Sequence, residues 1–282
     1  MIGVFDSGIG GLSVLQEIHR QCPDQSTLYF ADQANIPYGQ KSKSELISYC
    51  ETITQYLLGR GASVIVVACN TATAAAIDQL RKNHPDIPFI GMEPALKPAA
   101  STTKSGKVGV LATAGTFKSQ KYAQLMTRFS DQVEIFENSC VGLVEQIESG
   151  HLESQLTREM LEEFINPMLE KKVDTLILGC THYPFVKSAI KSIVEDKAQV
   201  INPAPAVAKQ VGRIVNSLKS QINADSSINL NEYITSGSLE HFVSLVNRLK
   251  NVRDKSIEEE ENSINNRPYT LYQTFYQKNH NN

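Results

Sequence analysis

The sequence predicts an α/β protein: two similar α/β lobes with mostly parallel sheets and the active site in the cleft between them. Three observations predict it. Short apolar runs rich in β-branched residues alternate with amphipathic runs of helical spacing almost throughout. Two proline-bearing stretches, 93–98 and 201–205, read as hinges and bracket a block that starts its own strand–helix series at Lys107. Two cysteine motifs, Ala68-Cys69-Asn70-Thr71 and Gly179-Cys180-Thr181-His182, echo one another on either side of the first bracket. Each follows an apolar run and precedes a helical pattern.

Residues 2–5 read as a strand and 12–20 as a helix. Residues 27–31 form the next strand. Residues 44–60 have helical spacing at Leu46, Ile47, Tyr49, Ile53, Tyr56 and Leu57. Strand 64–68 leads to helix 73–83, and 88–91 is a short strand. Within the block, 108–112, 133–136 and 175–179 are strands, and 153–171 and 185–194 are helices. The organisation expected is 1–95 as the first part of lobe A, 96–204 as lobe B, 205–250 as a return to lobe A, and 251–282 as a polar tail. The tail holds four acids at 258–261 and an Asn-rich end. Tyr269, Leu271, Tyr272, Phe275 and Tyr276 offer it some means of docking.

Composition narrows the class. Of 282 residues, 41% are hydrophobic and 20% charged, with net charge −3. That is the balance of a globular enzyme and not the basic footprint of a nucleic-acid binder, so no nucleic-acid partner is expected. No apolar run approaches the roughly 18 residues of a membrane span. The start, Met1-Ile2-Gly3-Val4-Phe5-Asp6, lacks the pattern of a signal peptide and reads as a strand. The five cysteines form no C-x-x-C pair. Reduced thiols in a cytoplasmic setting are expected.

Asp6-Ser7-Gly8-Ile9-Gly10-Gly11 follows the first strand and opens a helix. Its glycines and free N–H groups suit an anion, and Asp6 stands where α/β folds bind ligands. Pro37-Tyr38-Gly39 suits a polar ligand or a plain proline turn. The cysteine motifs carry more. A thiol at a helix N-terminus has its thiolate favoured by the helix dipole, and the Asn/Thr or Thr/His pair beside it can hold a carboxylate. His182 can exchange a proton with Cys180. Metal binding is the rival for Cys and His, but the four ligands of a structural zinc site are not spaced for it.

These residues resemble the bacterial glutamate racemases of the aspartate/glutamate racemase superfamily. The matching stretches are 5–15, 29–39, 66–73, 91–99, 112–116 and 178–185. The resemblance implies cofactor-independent interconversion of L- and D-glutamate, the D-isomer feeding peptidoglycan synthesis. It implies Cys69 and Cys180 as the two bases, with Asp6 and His182 assisting. Ser7, Tyr38, Gly39, Asn70, Thr71, Thr116, Glu148, Thr181 and His182 would hold the substrate. Glu145, one helical turn from Glu148, is the alternative pocket acid. A homodimer is compatible with the resemblance, though the sequence carries no interface signature.

The chemistry of the residues agrees. Racemisation removes a weakly acidic Cα proton and returns one to the opposite face, so two fixed bases serve better than one mobile base. Closure of the lobes would exclude water. Racemisation of aspartate, a non-catalytic two-lobed anion-binding module and a pyridoxal-phosphate enzyme are the competing readings. The last needs a Schiff-base lysine, and no lysine stands out at a strand end.

Overall fold

The computed structural model describes residues 1–219, 230–251 and 269–273. It is an α/β fold with two parallel sheets. The first part of the chain runs β1 (Ile2–Asp6), α1 (Leu12–Gln21), β2 (Thr27–Ala31), α2 (Lys43–Gly59), β3 (Val64–Val67), α3 (Asn70–Asn83) and β4 (Phe89–Gly91). After α4 (Leu96–Thr102) come β5 (Lys107–Leu111), α5 (Ala114–Phe117), α6 (Gln120–Phe129), β6 (Glu134–Asn138), α7 (Leu143–Glu148), α8 (Gln155–Glu170), β7 (Thr175–Leu178), α9 (Lys187–Val194) and β8 (Gln199–Ile201). The chain ends with α10 (Ala204–Lys219), β9 (Asn231–Thr235), α11 (Leu239–Asn251) and β10 (Tyr269–Gln273).

The first sheet has the order β10-β9-β2-β1-β3-β4 and the second β6-β5-β7-β8. Every pairing is parallel. The strands read as continuous apolar runs because helices cover both faces. Every residue of β1, β2, β3 and β7 is buried. Three apolar clusters result. One packs α2 and α3 on the outer face of the first sheet through Phe5, Phe30, Ile53 and Val67. Another packs α4 and α6 on the second sheet through Val108, Val110 and Phe129. The third is continuous between the sheets, joining Val4 and Val66 to Leu111, Ile147, Leu176 and Leu178.

The topology fixes where a ligand site falls. From β1 the chain moves to β2 on one side, whereas from β3 it moves to β4 on the other. The carboxyl ends of β1 and β3 therefore flank a switch point, where parallel sheets leave a crevice. The same holds for β5 and β7, which lead to β6 and β8. Cys69 follows β3, and Cys180 follows β7.

Several expectations need correction. The proline stretches are not bare hinges: Pro98 and Pro205 stand in the first turns of α4 and α10, where a missing N–H costs nothing. Helix α10 packs back on α1. Helix α3 starts at Asn70 rather than 73, capped by Cys69 itself. Strand β6 starts one residue later and ends two residues later than the expected 133–136. The expected tail carries β10, paired to β9 from Tyr269↔Asn231 to Gln273↔Thr235. The acid run 258–261, Phe275, Tyr276 and the Asn-rich end lie outside the described residues. Among the described residues no helix is long and apolar enough to cross a membrane.

Asp174 fastens the second sheet. Its carboxylate accepts from Thr103 Oγ1 at 2.5 Å, Lys104 N–H at 2.7 Å and Ser105 N–H at 2.6 Å. Slight burial works against its charge, but these donors outweigh that and lower its pKa to about 2. A carboxyl with a depressed folded pKa adds stability above its unfolded pKa and loses it as pH falls through the folded one. Asp174→Asn is therefore expected to lower the thermal midpoint at neutral pH. The gap from wild type should close between about pH 4 and pH 2 in an acid-unfolding series. A gap independent of pH would contradict this.

Candidate active site

A small cavity of about 90 Å³ opens between the carboxyl ends of the two sheets. The first sheet contributes Ser7, Tyr38, Gly39, Cys69, Asn70 and Thr71 to its wall. The second contributes Thr113, Cys140, Glu145, Cys180, Thr181 and His182. Both thiols are thus buried in the wall of one cavity, from opposite sheets.

Cys69 caps α3, its sulfur accepting the Ala72 N–H at 3.5 Å. Ser7 Oγ lies 3.9 Å from the same sulfur. The expected lowering of this thiol by the helix terminus does not prevail. Burial pushes Cys69 well above the ordinary thiol range, Asp6 adds to that, and the Ala72 N–H opposes only weakly. Cys180 differs from expectation in another way. No α-helix begins there; a 3₁₀ turn over Tyr183–Val186 precedes α9, with Pro184 in its first positions. Its local partner is His182, whose Nδ1 is 3.7 Å from the sulfur.

His182 belongs to a buried pair. Its Nε2 donates to Glu148 Oε1 at 2.6 Å. The same oxygen accepts the Ile9 N–H at 2.7 Å, and Oε2 accepts Gln33 Nε2 at 3.0 Å. Burial alone would lower the His182 pKa, but its bonds to Cys180 and Glu148 raise it well above the usual range. Burial alone would raise Glu148, but His182, Gln33 and Ile9 bring it below the usual range. The two shifts agree on an ionised pair.

This changes the role of the glycine loop. Its N–H groups at the start of α1 hold carboxylates of the protein itself, Ile9 N–H that of Glu148 and Gly8 N–H that of Asp6. The glycines are there for close approach. A Cβ on Gly8 would lie 2.0 Å from Glu148 Oε1, and one on Gly10 2.4 Å from His182 Nδ1.

Of the residues expected at the site, Ser7, Tyr38, Gly39, Cys69, Asn70, Thr71, Cys180, Thr181 and His182 line the cavity. Asp6, Thr116 and Glu148 stand behind that wall. Asp6 accepts from the Gly8 N–H at 3.0 Å and from Thr181 Oγ1 at 3.2 Å. Burial raises its pKa, with His182 and the loop N–H groups pulling it back. Thr116 joins Thr113 and Thr71 in a hydroxyl cluster at 3.2 and 3.5 Å. Of the two candidate pocket acids, Glu148 does not line the cavity but grips His182 from behind, whereas Glu145 is in the wall. Thr113 and the turn 139–142 were missed. The Thr-x-x-Thr spacing was a signal for Thr113, whose hydroxyl caps α5. Asn70 carries the clearest sign of a ligand: both its amide atoms are buried without a partner. Among the described residues no group of three or more His, Cys, Asp or Glu is arranged to hold a metal ion.

Comparison with known proteins agrees with this geometry. The Asp/Glu/hydantoin racemase family model matches residues 2–211. The glutamate racemase of Ectopseudomonas mendocina is 47% identical over 245 residues, 87% of this chain and 92% of that protein. The glutamate racemase of Pseudomonas paraeruginosa is 51% identical over 77% of this chain and 82% of its own. The crystal structure of Escherichia coli glutamate racemase, in complex with L-glutamate and the activator UDP-MurNAc-Ala, superposes with a TM-score of 0.80. Identity there is 29%, and 97% of each chain is covered.

Glu148→Gln keeps the shape of the pair and removes its anion. The His182 midpoint, followed by NMR of labelled histidine, is expected to fall from its raised value. Unfolding free energy should drop by about 3 kcal/mol, the lower end for breaking a buried pair. Gly8→Ala should act in the same direction, because its methyl displaces the same carboxylate. An unmoved His182 midpoint in Glu148→Gln would remove the pair from the account.

Proposed function

The chain belongs to the Asp/Glu/hydantoin racemase family, and we propose that it is a two-thiol racemase that interconverts L- and D-glutamate without a cofactor. Its D-glutamate supplies peptidoglycan synthesis, which places the reaction in the cytoplasm. The observation that carries the reading is the pair of buried thiols, one at the switch point of each sheet, facing one cavity.

The substrate Cα lies between Cys69 and Cys180. A thiolate on one wall takes the Cα proton and becomes a thiol. The thiol on the other wall gives its proton to the opposite face and becomes a thiolate. The reverse direction exchanges the roles. The two bases have unequal support. Asp6 is the charge partner of Cys69, and its raised carboxyl can carry the proton that this thiol must shed. His182, held as an imidazolium by Glu148, serves Cys180 through Nδ1. Asn70 offers an unpaired donor and an unpaired acceptor to the amino and carboxylate groups. Ser7, Thr71 and Thr181 line the same space, and Tyr38-Gly39 closes one side. Donors fixed in a cavity of low dielectric also favour the charge that develops as the proton leaves. The same reading includes a homodimer, tested by sedimentation at enzyme concentrations.

Exchange of the glutamate α-proton in D₂O tests the mechanism, with each enantiomer and no added cofactor. Wild type should exchange and racemise both enantiomers and should prefer them to aspartate. Cys69→Ala and Cys180→Ala should each lose at least about 10²–10⁴-fold. Full racemisation by either variant would end the two-thiol account. Asn70→Ala should raise KM with little change in thermal midpoint, since the amide makes no internal bond that folding would lose. A large loss of stability in Asn70→Ala would assign that residue a structural role instead.

A further inference from the structure

We propose that Gln33, backed by Thr235, is a positioning residue that fixes the Glu148 carboxylate against His182. The inference rests on the racemase reading for its kinetic consequence, but its physical core concerns the free protein.

The observation is a chain of hydrogen bonds with a single direction. Gly237 N–H donates to Thr235 Oγ1 at 3.0 Å. Thr235 Oγ1 donates to Gln33 Oε1 at 2.9 Å. Gln33 Nε2 then donates to Glu148 Oε2 at 3.0 Å. The amide cannot be turned around without placing its oxygen against the Glu148 carboxylate, and in the orientation seen the Thr235 hydroxyl supplies the donor that the amide oxygen needs. Thr235 therefore anchors the amide by its oxygen in the orientation in which Gln33 presents a donor to Glu148. With Oε2 occupied, Oε1 is left to His182 and the Ile9 N–H. One side chain after β2 and one at the end of β9 thus determine how a carboxylate on α7 meets the histidine after β7. Gly237 supports this packing, since a Cβ there would lie 2.8 Å from Gln33 Cβ.

Several groups face Glu148. His182 comes from the turn after β7, Asp6 from β1 and Tyr29 from β2. His241 on α11 meets its backbone carbonyl at 2.9 Å, and Arg248 meets the Gly150 carbonyl at 3.3 Å. Asp6 disfavours the Glu148 anion and His182 favours it. Gln33 is the uncharged side-chain donor among these neighbours. Its removal should move the Glu148 midpoint upward, toward the effect of Asp6 and burial.

The test uses Gln33→Leu, which keeps most of the volume, Thr235→Val, and the double variant. Two readouts are followed. The first is the Glu148 carboxyl titration in the free protein, by ¹³C NMR. The second is the pH profile of kcat/KM for glutamate. One hydrogen bond to a charged group corresponds to roughly one pH unit. Gln33→Leu should therefore raise the Glu148 midpoint, and the acid limb of kcat/KM, by about that much. Thr235→Val should shift both in the same direction by less. The double variant should match Gln33→Leu alone, because Thr235 acts through Gln33. A merely structural role would lower activity equally at every pH. That outcome, an unmoved Glu148 midpoint, or additive shifts in the double variant would overturn the proposal. If Gln33→Leu fails to fold, the Thr235→Val titration decides by the same criterion. A wild type without α-proton exchange would defeat the racemase reading, and the Glu148 titration would still decide this one.

Discussion

The Glu148 carboxylate is the contact on which the site depends. It comes from α7, packed against the second sheet, and is gripped by the Ile9 N–H of the loop that leaves the first sheet. It also holds His182, two residues from one of the thiols. A carboxylate with only burial around it would take up a proton, because desolvation of an ion costs far more than one hydrogen bond returns. Here three donors converge on two oxygens, and the balance reverses. The loop after β1 can reach the carboxylate because Gly8 and Gly10 have no side chains to intervene. The loop is sequence-local, but its reason for being glycine-rich lies 139 residues away.

The two thiols are related by topology and unlike in electrostatics. Each follows the strand that flanks a switch point, so two parallel sheets with opposed carboxyl ends suffice to set sulfur on both walls of a cavity. Around Cys69 the nearby charge is Asp6, and burial dominates. One N–H at a helix terminus is worth at most about 1–2 kcal/mol, too little to offset a fully buried charge. Around Cys180 the nearby group is an imidazole held cationic by Glu148. The free protein thus carries its built-in positive charge on the Cys180 side and an acid on the Cys69 side. A substrate with an ammonium and two carboxylates meets both, and Asn70, beside Cys69 in the cavity wall, has both amide atoms unspent.

Much of this was legible in the sequence. The alternation of strands and helices gave the parallel class, and the cysteine echo gave the two carboxyl ends. The rest depended on tertiary neighbours. Glu148 was recognisable as an acid near the site, but only folding decides whether it faces the cavity or the back of a histidine. Thr116 was recognised while Thr113, three residues earlier, was not, although its cap was written in the spacing. Helix α10 was also readable, with Val207, Ala208, Val211 and Val215 on one buried face, but proline at its start drew it toward a hinge. The left-handed backbone at Cys140 and Gly142, which turns that loop into the cavity wall, has a sequence signal only in the glycine.

The continuous core between the sheets limits how the cavity can open. Val4 and Val66 below the first thiol share a buried cluster with Ile147, Leu176 and Leu178 below the second. Swinging the lobes widely apart would expose several such side chains, at roughly 1.5–3 kcal/mol each. Binding of a small amino acid at millimolar affinity yields about 4 kcal/mol, which cannot offset that. Closure of the lobes to exclude water therefore has to leave this shared core packed. The cavity's rim is packed in the same way: in the turn 139–142 Val141 is 72% exposed and borders the cavity, but Cys140 beside it belongs to the buried cluster. Both thiols are themselves members of packed clusters, Cys180 of the one between the sheets and Cys69 of the one on the first sheet's outer face, and this packing holds them in place. Fixed bases are what a two-base racemisation requires, since the substrate carbanion must meet the second thiol before the first can return its proton.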